Sequence, residues 1–360
     1  MKIKVIGALC LIGIVVTVAL ARIQTSKEQA YTPPFLDAQG NTIPGSIAVL
    51  EQVTLNGVPQ WILIRGKNAG KPVLLYLHGG PGFSHIPFVK LLQTPELEKN
   101  FIVVQWDQRG SGKSYSKDLT ESDMRIENFV EDTKDLTNHL RARFGQEKIF
   151  MLGHSWGSAL GFMTIAKYPE LYHAYVAAGE AADWNKRQTM SFDWALGQAR
   201  QDKNQKAVDT LEGVVPFDPT NPDHIGVKNE VLEVYGGEYH EAAGYKKYVD
   251  YMGQGPEYTS DDFQKFEQGS SWSGKTTDLE AARSGYSLFR DLPEVQIPVY
   301  FFAGRYDYQT PSSLAEDYYK VLKAPDKGFI WFENSAHYTF FMEPDKATRE
   351  LIRIAKKTLK

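Results

Sequence analysis

Five short, uninterrupted apolar runs limit most strongly what this chain can fold into. They are PVLLYLHGG (Pro72–Gly80), FIVVQWD (Phe101–Asp107), KIFMLG (Lys148–Gly153), YHAYVAAG (Tyr172–Gly179) and IPVYFFAG (Ile297–Gly304), and GFIWFEN follows from Gly328. Between them lie stretches with helical spacing, among them 124–144, 158–168 and 312–323. Continuously apolar strands separated by helices predict an α/β fold: a mostly parallel sheet, buried on both faces by those helices. Ahead of the first run, SIAVLEQVTLNGVPQWILIRG predicts two strands joined at Asn56-Gly57, because that dipeptide accepts the left-handed backbone of a tight hairpin turn.

The alternation stops after Gly179. From about Ala181 to Arg290 the chain is polar, aromatic and helical in pattern, with breaks at VVPFDPTNPDH and GQGPEY. Because a strand run resumes afterwards, this segment reads as an insertion within one sheet and not as a tandem domain. The expected organisation is therefore a core over 46–180, a helical insertion over 181–290 and the rest of the core over 291–360, with a linker at 25–45. At the start, Lys2 and Lys4 precede 17 residues without a charge, Val5 to Ala21. Such a run reaches about 26 Å as a helix, the lower limit for spanning a bilayer. Ala19-Leu20-Ala21 also fits a signal-peptide cleavage site. Residues 1–24 are thus expected to be a transmembrane anchor, or alternatively a signal removed on secretion. Either would leave the remainder extracytoplasmic.

A net charge of −4 offers no basic stripe to phosphates, so a nucleic-acid partner is not expected. The single cysteine, Cys10, lies in the N-terminal run, which leaves the rest of the chain without disulfides or thiolate metal sites.

The stretch DQRGSGKS (Asp107–Ser114) ends like a phosphate-binding loop. Such a loop needs a glycine five positions before Gly112, and Asp107 stands there instead, placing a carboxylate against a phosphate. A different chemistry accounts for more of the chain. Gly153-His154-Ser155-Trp156-Gly157 is G-x-S-x-G between a strand and a helix, a turn tight enough to lift a serine Oγ above the sheet at a helix N-terminus. His78-Gly79-Gly80-Pro81-Gly82 closes the strand where one oxyanion amide is supplied in such a site, and the residue after the nucleophile supplies the other. These amides are assigned to Gly80 and Trp156. Asp307 in FFAGRYDYQTP and His337 in FENSAHYTFF each fall just past a strand. The order Ser155, Asp307, His337 is that of α/β-hydrolases, with His337 as base and Asp307 fixing its tautomer. Taken singly, Asp307 also fits a turn aspartate and His337 a surface histidine. The other histidines show no ligand spacing, so no metal or other cofactor is expected.

HGGPG, DQRGSGKS, GHSWGS, GRYDYQTP and SAHY together resemble the prolyl iminopeptidase family of α/β-hydrolase-fold serine enzymes. The resemblance runs from about Ser46 to the C-terminus and is weakest through the insertion. It implies that the insertion is a helical cap over the active site and that DQRGSGKS is a structural loop. It also implies that carboxylates grip the substrate's free α-amino group. Glu180, with Asp183 close by, stands after a strand end, where a carboxylate can pair with an ammonium; a solvated acidic loop fits the same residues. One departure is His154, where the family usually has glycine. The function expected is removal of N-terminal residues from small peptides through an acyl-enzyme on Ser155. A carboxylesterase or other acyl hydrolase with the same triad is the alternative, and a binding module without catalysis is a third.

Overall fold

The computed structural model describes residues 29–240 and 250–360. Eight strands form one sheet: β1 (Ile47–Leu55), β2 (Val58–Gly66), β3 (Val73–Leu77), β4 (Ile102–Asp107), β5 (Ile149–His154), β6 (Tyr172–Ala178), β7 (Val299–Gly304) and β8 (Lys327–Phe332). They lie in the order β1-β2-β4-β3-β5-β6-β7-β8. The β1–β2 and β2–β4 pairs are antiparallel, and every later pair is parallel. The hairpin turns at Asn56 and Gly57, with φ of 44° and 78°, the left-handed pair that matches strand twist. β3, β4, β5 and β7 are buried along their whole length, which is why their sequences are apolar without alternation.

The helices used below are α1 (Ile126–Phe144), α2 (Trp156–Lys167), α3 (Trp184–Gln201), α4 (Gln205–Glu212), α5 (Pro222–Val234), α6 (Ser260–Ser284), α7 (Ser312–Val321) and α8 (Pro344–Thr358). One apolar layer packs α1, α2 and α7 against the sheet, through residues such as Leu136, Leu160 and Leu314. The other carries α8, through Leu351 and Ile354, and short helical turns near Phe88. Between β6 and β7 the chain forms α3 to α6, with a small core of their own around Phe192, Leu211 and Val231. These helices, leaving and rejoining one sheet at neighbouring strands, are called the cap below.

The N-terminal expectation is corrected. Residues 1–24 lie outside the described residues. Among the described residues, no helix is long and apolar enough to cross a membrane. The longest helices there carry charge on nearly every turn, as in IENFVEDTKDLTNHLRARF and SDDFQKFEQGSSWSGKTTDLEAARS. The membrane anchor, the signal and the extracytoplasmic placement drawn from them are accordingly not carried further.

Candidate active site

The turn from β5 into α2 holds Ser155 at φ 55°, ψ −119°, a conformation that L-residues rarely adopt. It is held from both sides. The Ser155 amide donates to the Ala178 carbonyl of β6 at 2.9 Å, and its carbonyl accepts from the Ser158 amide at 2.8 Å. A Cβ on Gly153 would collide with the Gly157 carbonyl, and one on Gly157 with the Leu77 carbonyl, so only glycine fits on either side. The first amides of a helix have no partner inside it, and that of Trp156 opens α2 beside the serine.

His337 follows β8 and is buried against the end of β6. A Cβ on Gly179 would stand 2.9 Å from His337 Nδ1, so the imidazole passes flush over the backbone one residue beyond Ala178. His337 Nδ1 donates to Asp307 Oδ2 at 3.0 Å. Asp307, 2% exposed, also accepts from the Thr310 amide (2.8 Å) and the Thr310 hydroxyl (2.9 Å). With Nδ1 committed to a carboxylate, the lone pair of His337 is on Nε2. The ring of His154 lies 4.6 Å from that of His337, and its Nε2 donates to the His337 carbonyl at 3.1 Å. Burial, with His337 and His85 adding repulsion, holds His154 well below the usual imidazole range, so it is a neutral support. Ser155, Asp307 and His337 thus lie at the C-terminal ends of β5, β7 and β8. The HGGPG loop meets them there: a Cβ on Gly79 would stand 3.0 Å from Ser155 Cβ.

The cap adds two carboxylates that the sequence pattern does not reveal. Its segment Gly236–His240 docks on the loops that carry Asp307 and His337: the Gly237 carbonyl accepts from the Tyr308 amide (2.9 Å) and the Gln309 amide (3.2 Å), and the Glu238 carbonyl accepts from the His337 amide (3.1 Å). Rings stack across the same junction, His240 on Tyr306 and Tyr239 on Tyr338. Glu238 Oε1 accepts from the Tyr338 hydroxyl at 3.2 Å. Burial raises Glu238 above the ordinary carboxylate range against the attraction of His337. Glu233, at the end of α5, is raised to about 7 by burial and then by the charge of Glu238. The one hint in the sequence is GGEYH, an acid behind two glycines.

Glu180 and Asp183 follow β6, just beyond Gly179. Glu180 is 3% exposed, with no hydrogen-bond partner for either carboxylate oxygen. Its charge is felt by Tyr175, Tyr286 and Tyr318, which pack into the core layer under α2. Burial pushes it up to about 8, against weaker pulls from Ser158, the Ala181 amide and Arg187. Asp183 caps α3, its side chain accepting from the Lys186 amide at 2.9 Å. Among the described residues no group of three or more His, Cys, Asp or Glu is placed to hold a metal ion.

Comparisons with known proteins agree with this fold. The family profile described as "alpha/beta hydrolase fold" matches residues 72–344. The "probable aminopeptidase YbaC" of Bacillus subtilis (strain 168) is 31% identical over 313 residues, 86% of this chain and 97% of that protein. A proline iminopeptidase of Heyndrickxia coagulans is 25% identical, over 78% of this chain and 89% of its own. Among solved structures, a proline iminopeptidase-related protein from Thermus thermophilus superposes with a TM-score of 0.61 at 17% identity, covering 86% of this chain and 97% of that one; this likeness concerns the fold alone.

Proposed function

The chain belongs to the alpha/beta hydrolase fold family, and from that premise we propose that it is a serine aminopeptidase that removes N-terminal residues from small peptides. The observation that carries the proposal is the bond from His337 Nδ1 to the buried carboxylate of Asp307, beside a serine held at positive φ. With Nδ1 so occupied, Nε2 is the atom left to take a proton. Ser155 Oγ attacks the carbonyl carbon of the first peptide bond as its proton passes to His337 Nε2. Asp307 stabilises the imidazolium, and the Gly80 and Trp156 amides receive the negative oxygen. His337 then protonates the departing amine. Water, activated by the same nitrogen, releases the amino acid from Ser155.

The aminopeptidase part rests on the cap and on the activities for which the relatives are named. A peptide with a free N-terminus brings an ammonium into the cleft. Glu238, bonded through its carbonyl to the His337 amide, and Glu233, raised by the charge of Glu238, are the pair that such a cation would relieve. We assign the ammonium to them in preference to Glu180 and Asp183, because the first is buried with its oxygens unpartnered and the second is committed to a helix cap. The test is labelling of the full chain by a fluorophosphonate, together with turnover of aminoacyl-arylamides and of neutral p-nitrophenyl esters. Ser155→Ala is expected to fold, to lose the label and to lose about 10⁴-fold or more of activity on arylamides. A folded Ser155→Ala protein that still turns over would end the serine reading. Turnover of esters alone would leave the carboxylesterase alternative.

A further inference from the structure

The stretch Asp107–Ser114 has no role in the chemistry above, yet its side chains are among the most buried polar groups of the protein. Gln108 is fully buried and, besides the turn bond that its carbonyl accepts from the Ser111 amide, makes three hydrogen bonds. Its backbone amide donates to His78 Nε2 (3.2 Å), its side-chain amide donates to the His78 carbonyl (3.0 Å), and its side-chain oxygen accepts from the Trp156 indole (3.0 Å). His78 is fixed in turn: with Nε2 accepting, Nδ1 carries the proton and donates to the Gly79 carbonyl at 2.8 Å. One side chain therefore joins the root of the HGGPG loop to the residue that follows the nucleophile. The preceding residue, Asp107, holds the far end of the same loop by accepting from the Ser84 hydroxyl, and it also accepts from the hydroxyl of Tyr258 in the cap.

We propose that Gln108, with Asp107 beside it, is the positioning residue of the oxyanion hole, setting the distance between the Gly80 and Trp156 amides by tying their two chain segments to each other. The two amides come from segments far apart in sequence, one after β3 and one opening α2. The register of Leu77 with Gly153 and the packing of Gly157 on the Leu77 carbonyl bring the two segments together, and Gln108 adds a side chain bonded to both. An oxyanion hole acts only when its donors are already placed where the negative oxygen forms, so loss of the tie weakens the transition state more than the bound substrate. This inference rests on the serine-hydrolase reading and concerns the same site.

The test uses Gln108→Met, which keeps the length of the side chain and removes both of its polar bonds. It also uses Trp156→Phe, which removes only the indole donor and keeps the backbone amide. In the full chain, kcat for an aminoacyl-arylamide is expected to fall about tenfold or more in Gln108→Met, a fraction of what deleting one oxyanion donor costs, with KM within about twofold. Affinity for an aminoacyl boronic acid, which places a tetrahedral anion on the serine, is expected to fall in parallel with kcat, and Trp156→Phe is expected to show a smaller loss of the same kind. An unchanged kcat in a folded Gln108→Met protein would overturn the proposal. So would a loss of kcat and thermal stability that leaves boronate affinity intact, since that is the mark of a packing role. If Gln108→Met does not fold, the same two readouts in Trp156→Phe decide. Failure of the wild-type chain to react with a fluorophosphonate would instead overturn the serine reading beneath.

Discussion

Asp307 and Glu180 stand just past the C-terminal ends of neighbouring strands, and both are buried, at 2% and 3% exposure. Their surroundings differ. Asp307 accepts from the Thr310 amide, the Thr310 hydroxyl and His337 Nδ1, so three donors replace the water it lost. Glu180 has no hydrogen-bond partner for either oxygen, and burial lifts it to about 8 against weaker pulls from Ser158, the Ala181 amide and Arg187. A carboxyl whose oxygens are met by donors can hold a histidine in place; one buried without strong donors is pushed toward its protonated form. Position at a strand end is therefore not what equips an acid to hold a histidine. The loop after β7 supplies strong donors, through the turn that brings Thr310 back over Asp307, whereas the loop after β6 offers Glu180 only the weaker pull of the Ala181 amide.

The widest gap between the two is expected in turnover. Asp307→Asn keeps the shape but presents an amide to His337 Nδ1, favouring the wrong tautomer, and activity on arylamides is expected to fall by about 10⁴-fold. His337→Ala, which removes the base outright, is expected to match it within about tenfold, because the members of a triad act as one unit. Glu180→Gln is expected to leave kcat/KM within about twofold. Steady-state kinetics of the three folded variants decides the matter. A large kinetic loss in Glu180→Gln, with Asp307→Asn near normal, would reverse the roles assigned here.

A second difference separates Glu180 from the carboxylates of the cap. If Glu238 holds the substrate ammonium, Glu238→Gln is expected to cost aminoacyl substrates about 1.5–3 kcal/mol, or roughly ten- to a hundredfold in kcat/KM, while neutral esters change little. Equal losses on both substrate classes would assign Glu238 to holding His337 through the docked loop. The carbonyl that accepts from the His337 amide survives this substitution, so the side chain is tested by itself.

Much of this site was legible in the sequence, for a local reason. Ser155, Asp307 and His337 each end an apolar run, so the runs that identify the strands also place the residues at one edge of the sheet. The parallel strands are apolar on both faces because helices cover both, and this made β3, β4, β5 and β7 plain. Glu233 and Glu238 were not legible. They reach the site by docking of the cap, through carbonyls of Gly237 and Glu238 that any sequence would carry. Glu180 was legible as a residue after a strand, but not the side to which it turns. Gly179, at φ 56°, breaks the two-residue alternation just before it, and the Glu180 side chain is buried.

The smallest kinetic effect carries the most distinctive effect on stability. Glu180 holds its proton in the folded protein up to about pH 8, whereas in the unfolded chain it releases it near 4.5. Between those values the unfolded state binds fewer protons than the folded one. Stability must then fall as pH rises across the window, and it levels off above pH 8. At about 1.4 kcal/mol per unit, the full span is on the order of 5 kcal/mol. Other raised carboxyls, Asp107 and Glu233 among them, bend the wild-type curve in the same direction, so the measurement is a difference. Glu180→Gln cannot ionise. Relative to wild type, it is expected to gain stability steadily from pH 5 to 8, read as a denaturation midpoint that falls less steeply with pH. Parallel curves for the two proteins would mean that Glu180 is charged in the fold and that a donor near it, such as the Ser158 hydroxyl or Arg187, is worth more than its burial costs. In that case the loop after β6 would resemble the loop after β7 after all, and the contrast between the two carboxyls would have to rest on the histidine alone.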